Sequence, residues 1–449
     1  MSKNPHKIMR TLRVRNDSVP GTLGKLLVLI GEQNGDIGSI RLVQETHQYT
    51  VRDVSVYADD EAHIEQILQA IAQIPASRVL AVRDEVLELH DKGKIAVRSR
   101  CTIDSLQVLR RVYTPGVAEV CLKIAADHSL ARQYTAISHF VAIVTDGTAV
   151  LGLGDIGPLA GMPVMEGKAM LMETLVGLSG IPILLNSKDP DTIVETVATI
   201  SPTFSAIQLE DISAPRCCEI EERLVERLDK PVMHDDQHGT AVVTTAALTN
   251  ACRHAGVRLD RAVIGQVGLG AAGNAIGKML MRYTGNPVMG ADLSADALQR
   301  FEKIGGKAAT LKEVMADADI VIATTGAAGL IKPAMVRKGQ IILALSNPNP
   351  EIEPDAAMQA GASYAADGKS VNNVLGFPGI FRGAVDSNAR RISYEMLIAA
   401  AETIASHTPE EELVPNPLDK SVHQAVAQAV AQKAIEQGLA RETLISYVE

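Results

Sequence analysis

Two short stretches of the chain bring carboxylates together. Residues 204–217 read FSAIQLEDISAPRC, with Glu210 and Asp211 at the end of an apolar run, and residues 231–241 read PVMHDDQHGTA, with Asp235 and Asp236 in the same position. The ends of strands are where α/β proteins build their sites. Four carboxylates brought close together repel one another unless a hard cation neutralises them, and all-oxygen ligation suits Mg²⁺ or Mn²⁺. His234 and His238 flank the second pair, but no matching Cys or His partner accompanies them to make a site for a softer metal. Two upstream stretches place a proton-transferring side chain among small residues: RVYTPGVAEVC with Tyr113 and GMPVMEGKAMLM with Lys168.

A third feature is a nucleotide signature. Residues 261–273, RAVIGQVGLGAAG, run from an apolar strand into Gly268-x-Gly270-x-x-Gly273 and then into the helical pattern NAIGKMLMRY. Strand, glycines and helix in this order let a pyrophosphate sit on a helix N-terminus against bare backbone. The next strand ends at Asp292, about 20 residues on, where an acid accepts from the ribose hydroxyls and repels a 2′-phosphate. That favours NAD. Arg300 and Lys303 lie further along, so NADP stays open.

The elements that must position these residues follow from pattern. From about residue 98 onward, short apolar runs (FVAIVTD, IPILLNS, FSAIQLED, PVMHDD, AVIGQVGLG, PVMGADL, DIVIATTG and IILALSNP) alternate with helical stretches, which predicts α/β architecture with largely parallel sheets. The residues after 387 are mostly helical and Ala-rich. Upstream, strand patterns at 6–16, 37–45, 49–57 and 78–89 and helical ones at 20–34 and 60–74 give the order βαββαβ, the ferredoxin-like unit. A polar stretch, residues 90–98, follows as a linker. The expected division is 1–90, 91–236 and 237–449: a ferredoxin-like domain, a parallel-sheet substrate and metal domain, and a Rossmann domain carrying the C-terminal helices.

Composition narrows the class. The 449 residues carry a formal net charge of −10 without a basic block, which argues against nucleic-acid binding. Aromatics make up only 3% and Trp is missing, so Ala, Val, Ile, Leu and Met must fill the cores. The five cysteines form no C-x-x-C pair and read as reduced thiols. With no apolar signal core and no long charge-free stretch, a soluble cytoplasmic protein with no membrane association is expected.

Taken in order, YTPGVAEVC, TDGTAVLGLGDIG, MEGKAM, LEDISAPRC, HDDQHGTA, VGLGAAG, SNPNP and NNVLGFPGIFRGA resemble the small bacterial malic enzymes, from about Val97 to the end of the chain. The first 90 residues resemble the ACT extension of some members, with Asp17, Pro20, Gly21 and Leu23 at the first strand–helix turn. The resemblance implies oxidation of malate by NAD and its decarboxylation to pyruvate, with Mg²⁺ or Mn²⁺ on Glu210, Asp211 and Asp236. It implies Lys168 as general base with Asp235 hydrogen-bonded to it, and Tyr113 as general acid. Asn347 then lies near the nicotinamide and Asn373 near the substrate carboxylate. It further implies a homodimer or higher homo-oligomer, in which Tyr113 serves its own site or a partner's, and a small effector at the ACT-like unit. In one respect the chain departs from the pattern. Many larger malic enzymes clamp malate with an arginine where this chain has Ala149. A malolactic reaction that retains the nicotinamide, and a non-catalytic sensor of NAD and metabolites, are the alternatives.

Overall fold

The computed structural model describes residues 7–150, 152–369 and 371–441. The chain divides into two compact units at the Lys94–Ile95 bond.

In the first unit, β1 (Ile8–Asp17), α1 (Thr22–Glu32), β2 (Asp36–Glu45), β3 (Tyr49–Ala58), α2 (Glu61–Ile71) and β4 (Ser77–Arg83) follow in the expected order. Residue 6, the expected start of the first strand, lies outside the described residues. The four strands form one antiparallel sheet in the order β2-β3-β1-β4. Side chains alternate across it. Leu12, Val14, Val54 and Val56 pack with Leu26 and Ile30 of α1 and with Ile64, Ile67 and Ile71 of α2, residues spaced to share one helix face. The strand expected at 78–89 is a correction: it stops at Arg83, and Glu85–His90 is a helix, α3. Asp84 starts it by accepting from Leu87 N–H at 2.9 Å, and such a cap outweighs the extended preference of the valine-rich run.

The second unit opens with three short helices, α4 (Leu106–Val112), α5 (Val117–Ala126) and α6 (Leu130–Tyr134). No residue between 95 and 140 is buried. Then β5 (Phe140–Thr145), β6 (Ser179–Leu184), β7 (Ala206–Leu209) and β8 (Val232–His234) form a parallel sheet in the order β6-β5-β7-β8. Its crossovers are α7 (Pro158–Val176), α8 (Pro190–Ile200) and α9 (Arg216–Arg227). Helix α10 (Thr240–Ala255), buried on nearly every side, leads to the second sheet.

That sheet holds β9 (Ile264–Val267), β10 (Met289–Ala291), β11 (Lys307–Ala308), β12 (Ile320–Ala323), β13 (Ile341–Ala344) and β14 (Tyr364–Asp367), all parallel, in the order β11-β10-β9-β12-β13-β14. In its own numbering this is 3-2-1-4-5-6, the doubly wound nucleotide-binding order. Helices α11 (Ala271–Thr284), α12 (Ala295–Lys303), α13 (Leu311–Asp317) and α14 (Pro354–Gln359) flank it. Each of the eight apolar runs contains a strand, whereas β11 and β14 lie outside them. The tail forms α15 (Phe377–Asp386), α16 (Tyr394–Ser406) and α17 (Lys420–Glu436), and α15 and α17 pack against α7 of the first sheet. One apolar core runs through both sheets by way of α10, joining Met165 and Met172 to Ala246, Ile264, Ile322, Phe381 and Val430. Among the described residues, no helix is long and apolar enough to cross a membrane.

Candidate functional site

Both parallel sheets reverse strand order at a switch point, and the chemistry-bearing residues gather where such sheets open a crevice, beyond the strand C-termini. Glu210 and Asp211 follow β7, and Asp235 and Asp236 follow β8. Glu210, Asp211 and Asp236 each offer a carboxylate oxygen, and these oxygens lie within 4.8 Å of one another. Asp236 Oδ2 also accepts from Asp211 N–H at 2.9 Å. Asp211 has φ 54°, a left-handed conformation that costs a non-glycine residue about 1 kcal/mol or more and tends to mark functional sites. Its carbonyl accepts from Ala149 N–H at 2.9 Å, which fastens the TDGTA loop after β5 beside the cluster.

Asp235 points to a different set of partners. Its Oδ2 accepts from Lys168 Nζ, which α7 delivers, and from Asn373 Nδ2 at 2.8 Å. Lys168 also reaches Glu210 Oε1 at 2.9 Å, and its ammonium stands over the Phe377 ring, 4.6 Å from the centroid. The turn after β8 is packed to contact. A Cβ on Gly239 would fall 1.9 Å from Asp235 Oδ1, so any larger residue there must displace that carboxylate.

The electrostatics follow from burial. Burial alone lowers the Lys168 ammonium, but Asp235, Glu210 and Asp236 outweigh it and hold the group above its ordinary value. Burial raises Glu210, Asp211 and Asp236, and the repulsion of neighbouring carboxylates adds to it. Asp211 Oδ2 is buried without a hydrogen-bond partner. Several carboxylates with raised proton affinity and an unpartnered buried oxygen fit a divalent, oxygen-seeking cation. The histidines contribute no ligand. Burial pushes His234 down to about 4, His238 is tied to Glu221 at 3.0 Å, and among the described residues the candidate cage is carboxylate only.

At the second switch point the chain turns from β9 into α11 through the three glycines. Gly268 has φ 85°, and a Cβ there would meet Thr324 O at 2.7 Å; one on Gly273 would meet Gly268 O at 1.9 Å. Gly270 faces open space. Backbone thus lines the cradle at the helix start, as a pyrophosphate requires. Asp292 follows β10; its two oxygens accept from Leu269 N–H at 2.7 Å and Ser294 N–H at 2.8 Å, which orients the carboxylate. Asn347 follows β13 and donates to Gly368 O at 3.2 Å.

The structure therefore gathers Lys168, Glu210, Asp211, Asp235, Asp236 and Asn373 in one site, and Gly268, Gly270, Gly273 and Asp292 in another. Tyr113 stands apart, 66% exposed at the end of α4. Three residues escaped the sequence reading. Gln208 donates to Glu210 Oε2 at 2.5 Å; its sign was a lone amide two residues before Glu210 in an otherwise apolar strand. Arg216 joins Asp146 at 3.0 Å and donates to Thr148 and Ser213, tying TDGTA to LEDISAPRC. Glu221 carries a buried carboxylate; its sign was its place with Cys217, Ile220 and Leu224 at the spacing of one helix face, which Glu219 and Glu222 do not share.

A parallel carboxylate-bearing sheet joined to a doubly wound nucleotide-binding sheet defines a dinucleotide-linked, cation-assisted oxidoreductase architecture. The family model for the malic enzyme N-terminal domain matches residues 90–225, and that for the malic enzyme NAD binding domain matches residues 361–437. NAD-dependent malic enzyme 1 of Bacillus subtilis is 56% identical over 430 residues, 95% of this chain and 98% of that one. NAD-dependent malic enzyme of Geobacillus stearothermophilus is 41% identical, over 96% of this chain and 95% of that one. The crystal structure of malic enzyme from Pyrococcus horikoshii superposes with a TM-score of 0.76 at 40% identity, covering 81% of this chain and 92% of that one. This chain belongs to the malic enzyme family.

Proposed function

We propose that the protein oxidises malate with NAD and decarboxylates it to pyruvate and CO₂, with Mg²⁺ or Mn²⁺ held by Glu210, Asp211 and Asp236. The observation that carries this reading is the cage of three carboxylates within 4.8 Å beside a buried lysine, in a chain that also has a nucleotide fold. When bound, the divalent ion supplies a Lewis acid for the hydroxyl and carboxylate of malate, and the nicotinamide accepts the hydride. Lys168 takes the proton of the C2 hydroxyl. Cancelling the charge of Glu210 and Asp236 weakens the field that holds a proton on Lys168 and leaves burial, which favours the free amine. Asp235 and Asn373 fix the lysine and the substrate carboxylate. Gly268, Gly270 and Gly273 receive the pyrophosphate, Asp292 the ribose, and Asn347 lies by the nicotinamide. Tyr113 returns a proton to C3 of the three-carbon product.

Tyr113 serves the site of a second copy in a homodimer. Support comes from its exposure and from the surrounding arm, where Val97, Leu106 and Leu122 are at least 71% exposed although apolar. The same reading divides the chain into 1–90, 91–236 and 237–449, in a cytoplasmic protein. The first unit is a ferredoxin-like, ACT-type regulatory domain, supported by its element order and sheet order, and it takes a small effector at the Asp17–Leu23 turn, where Gly21 has φ 88°.

The decisive assay offers purified protein malate, Mn²⁺ and NAD or NADP in turn, following reduced nicotinamide and pyruvate together. One-to-one formation with NAD is expected; lactate in place of accumulating NADH contradicts the reading. Hybrids of Tyr113→Phe and Lys168→Ala subunits test the shared site: a randomly mixed dimer population regains about a quarter of wild-type activity if Tyr113 acts across the interface, and none if it acts within its own chain.

A further inference from the structure

We infer that Glu221, on α9, is a positioning residue of the cation centre: its carboxylate holds the turn that aims Asp235 and Asp236 at their separate partners. The inference rests on the cation-binding reading above. Between β8 and α10 the chain makes one π-type turn, Asp235–Gly239, and this irregular segment has to direct Asp235 to Lys168 and Asn373 while directing Asp236 to the cage. Glu221 approaches from the neighbouring helix and collects three donors, one from the last residue of β8 and two from that segment. Oε1 accepts from His234 N–H at 2.7 Å; Oε2 accepts from Gln237 Nε2 at 3.2 Å and from His238 Nε2 at 3.0 Å. The side chain is 9% exposed, and Gln237 accepts in turn from the Cys218 thiol at 3.1 Å.

The far end of this network is fixed as well. The His238 ring meets the Tyr394 ring edge-on at 5.7 Å, and Tyr394 lies under Arg282 at 4.6 Å and Lys278 at 5.2 Å, both on the helix that starts at the nucleotide glycines. Glu221 touches neither the cage nor the lysine, so it acts by holding both ends of the turn: the backbone of His234 before it and the side chains of Gln237 and His238 within it. Only an anion with two free acceptor oxygens satisfies three converging donors. A glutamine of the same size places an N–H₂ against at least one of them. His238 can switch tautomer and the Gln237 amide can turn over, so part of the network re-forms, but the turn relaxes.

The test is Mn²⁺ binding to the full-length protein, read from the electron paramagnetic resonance of the free ion, with NADH fluorescence and thermal melting as controls. Groups that hydrogen-bond a metal ligand directly typically carry about 10–100-fold in metal affinity, and one that acts through the turn is expected at the low end of that range. E221Q is expected to bind Mn²⁺ about tenfold more weakly, to bind NADH as wild type does, and to regain most of its kcat once Mn²⁺ saturates. E221D, which keeps both acceptors on a shorter stem, recovers part of the affinity. E221L removes every acceptor and is the variant most exposed to misfolding, so E221Q decides. Unchanged Mn²⁺ affinity in E221Q overturns the inference, as does a parallel loss of Mn²⁺ and NADH binding with a lowered Tm, which marks a merely structural role. A wild type that binds NADH but not Mn²⁺ overturns the cation reading itself, and this inference with it.

Discussion

Asp53 and the cage at Glu210 show two opposite ways to bury carboxylate. In the first unit, Asp53 is 4% exposed and meets two guanidinium groups, Arg13 at 2.7 and 2.9 Å and Arg41 at 2.8 Å. The Arg13 hydrogen bonds, joined by the one from Arg41, overcome burial and hold it down to about 2. In the second unit, Glu210, Asp211, Asp235 and Asp236 share one ammonium, Lys168, and burial raises every one of them. A matched buried charge serves stability, whereas an unmatched cluster stores repulsion that a ligand relieves.

The contrast can be broken or sharpened by substitution. The largest effect is expected of Asp236→Ala, which removes a proposed ion ligand worth several kcal/mol and so costs about a thousandfold or more in turnover; NADH binding stays intact, and normal malate oxidation in millimolar Mg²⁺ refutes the cage. Lys168→Met should follow with a loss on the order of 10²–10⁴-fold in kcat, while Mn²⁺ affinity, read by titration, is kept or improved because a competing cation has gone.

Asp53→Ala should destabilise the first unit by about 2 kcal/mol without changing kcat, as denaturant melts of wild type and variant will show. Its pH dependence has a definite sign. The folded value, about 2, lies below the unfolded one of about 3.9. The contribution is therefore present in full above pH ~4 and is lost as pH falls towards ~2. A variant that loses stability over the same window as wild type contradicts the assignment.

Asp236→Asn should move the other way, raising ion-free stability by about 1 kcal/mol because repulsion is relieved, and Mn²⁺ should no longer raise its Tm as it does that of wild type. The smallest effect is expected at Asp292, where Ser removes the proposed ribose acceptor and its repulsion of a 2′-phosphate. The ratio of kcat/KM for NAD and NADP should narrow; an unchanged ratio places discrimination elsewhere.

Much of this was legible in the sequence, for definite reasons. Strand runs such as FVAIVTD and DIVIATTG are continuous because both faces of a parallel strand are covered, and the carboxylates follow β7 and β8 directly, so the motif fixes their place in the fold. What pattern could not show is which of two adjacent acids turns which way. Asp235 bonds to Asn373, 138 residues distant, and Asp236 to the backbone of Asp211. The strand YAAD escaped because alanines carry no β signature, and α3 because an Asp cap and a valine-rich strand look alike over a few residues. Tyr113 carries a recognisable motif, yet its own chain leaves it exposed.

The excess of carboxylates over cations around Lys168 also sets an order of events. Malate is a dianion, and a pocket with four acids and one ammonium repels it until that charge is cancelled. Addition should therefore be ordered, ion before malate. If the ion equilibrates rapidly, reciprocal plots against malate at several Mn²⁺ concentrations meet on the ordinate, because saturating malate traps the ion and the maximal velocity no longer depends on how much was supplied.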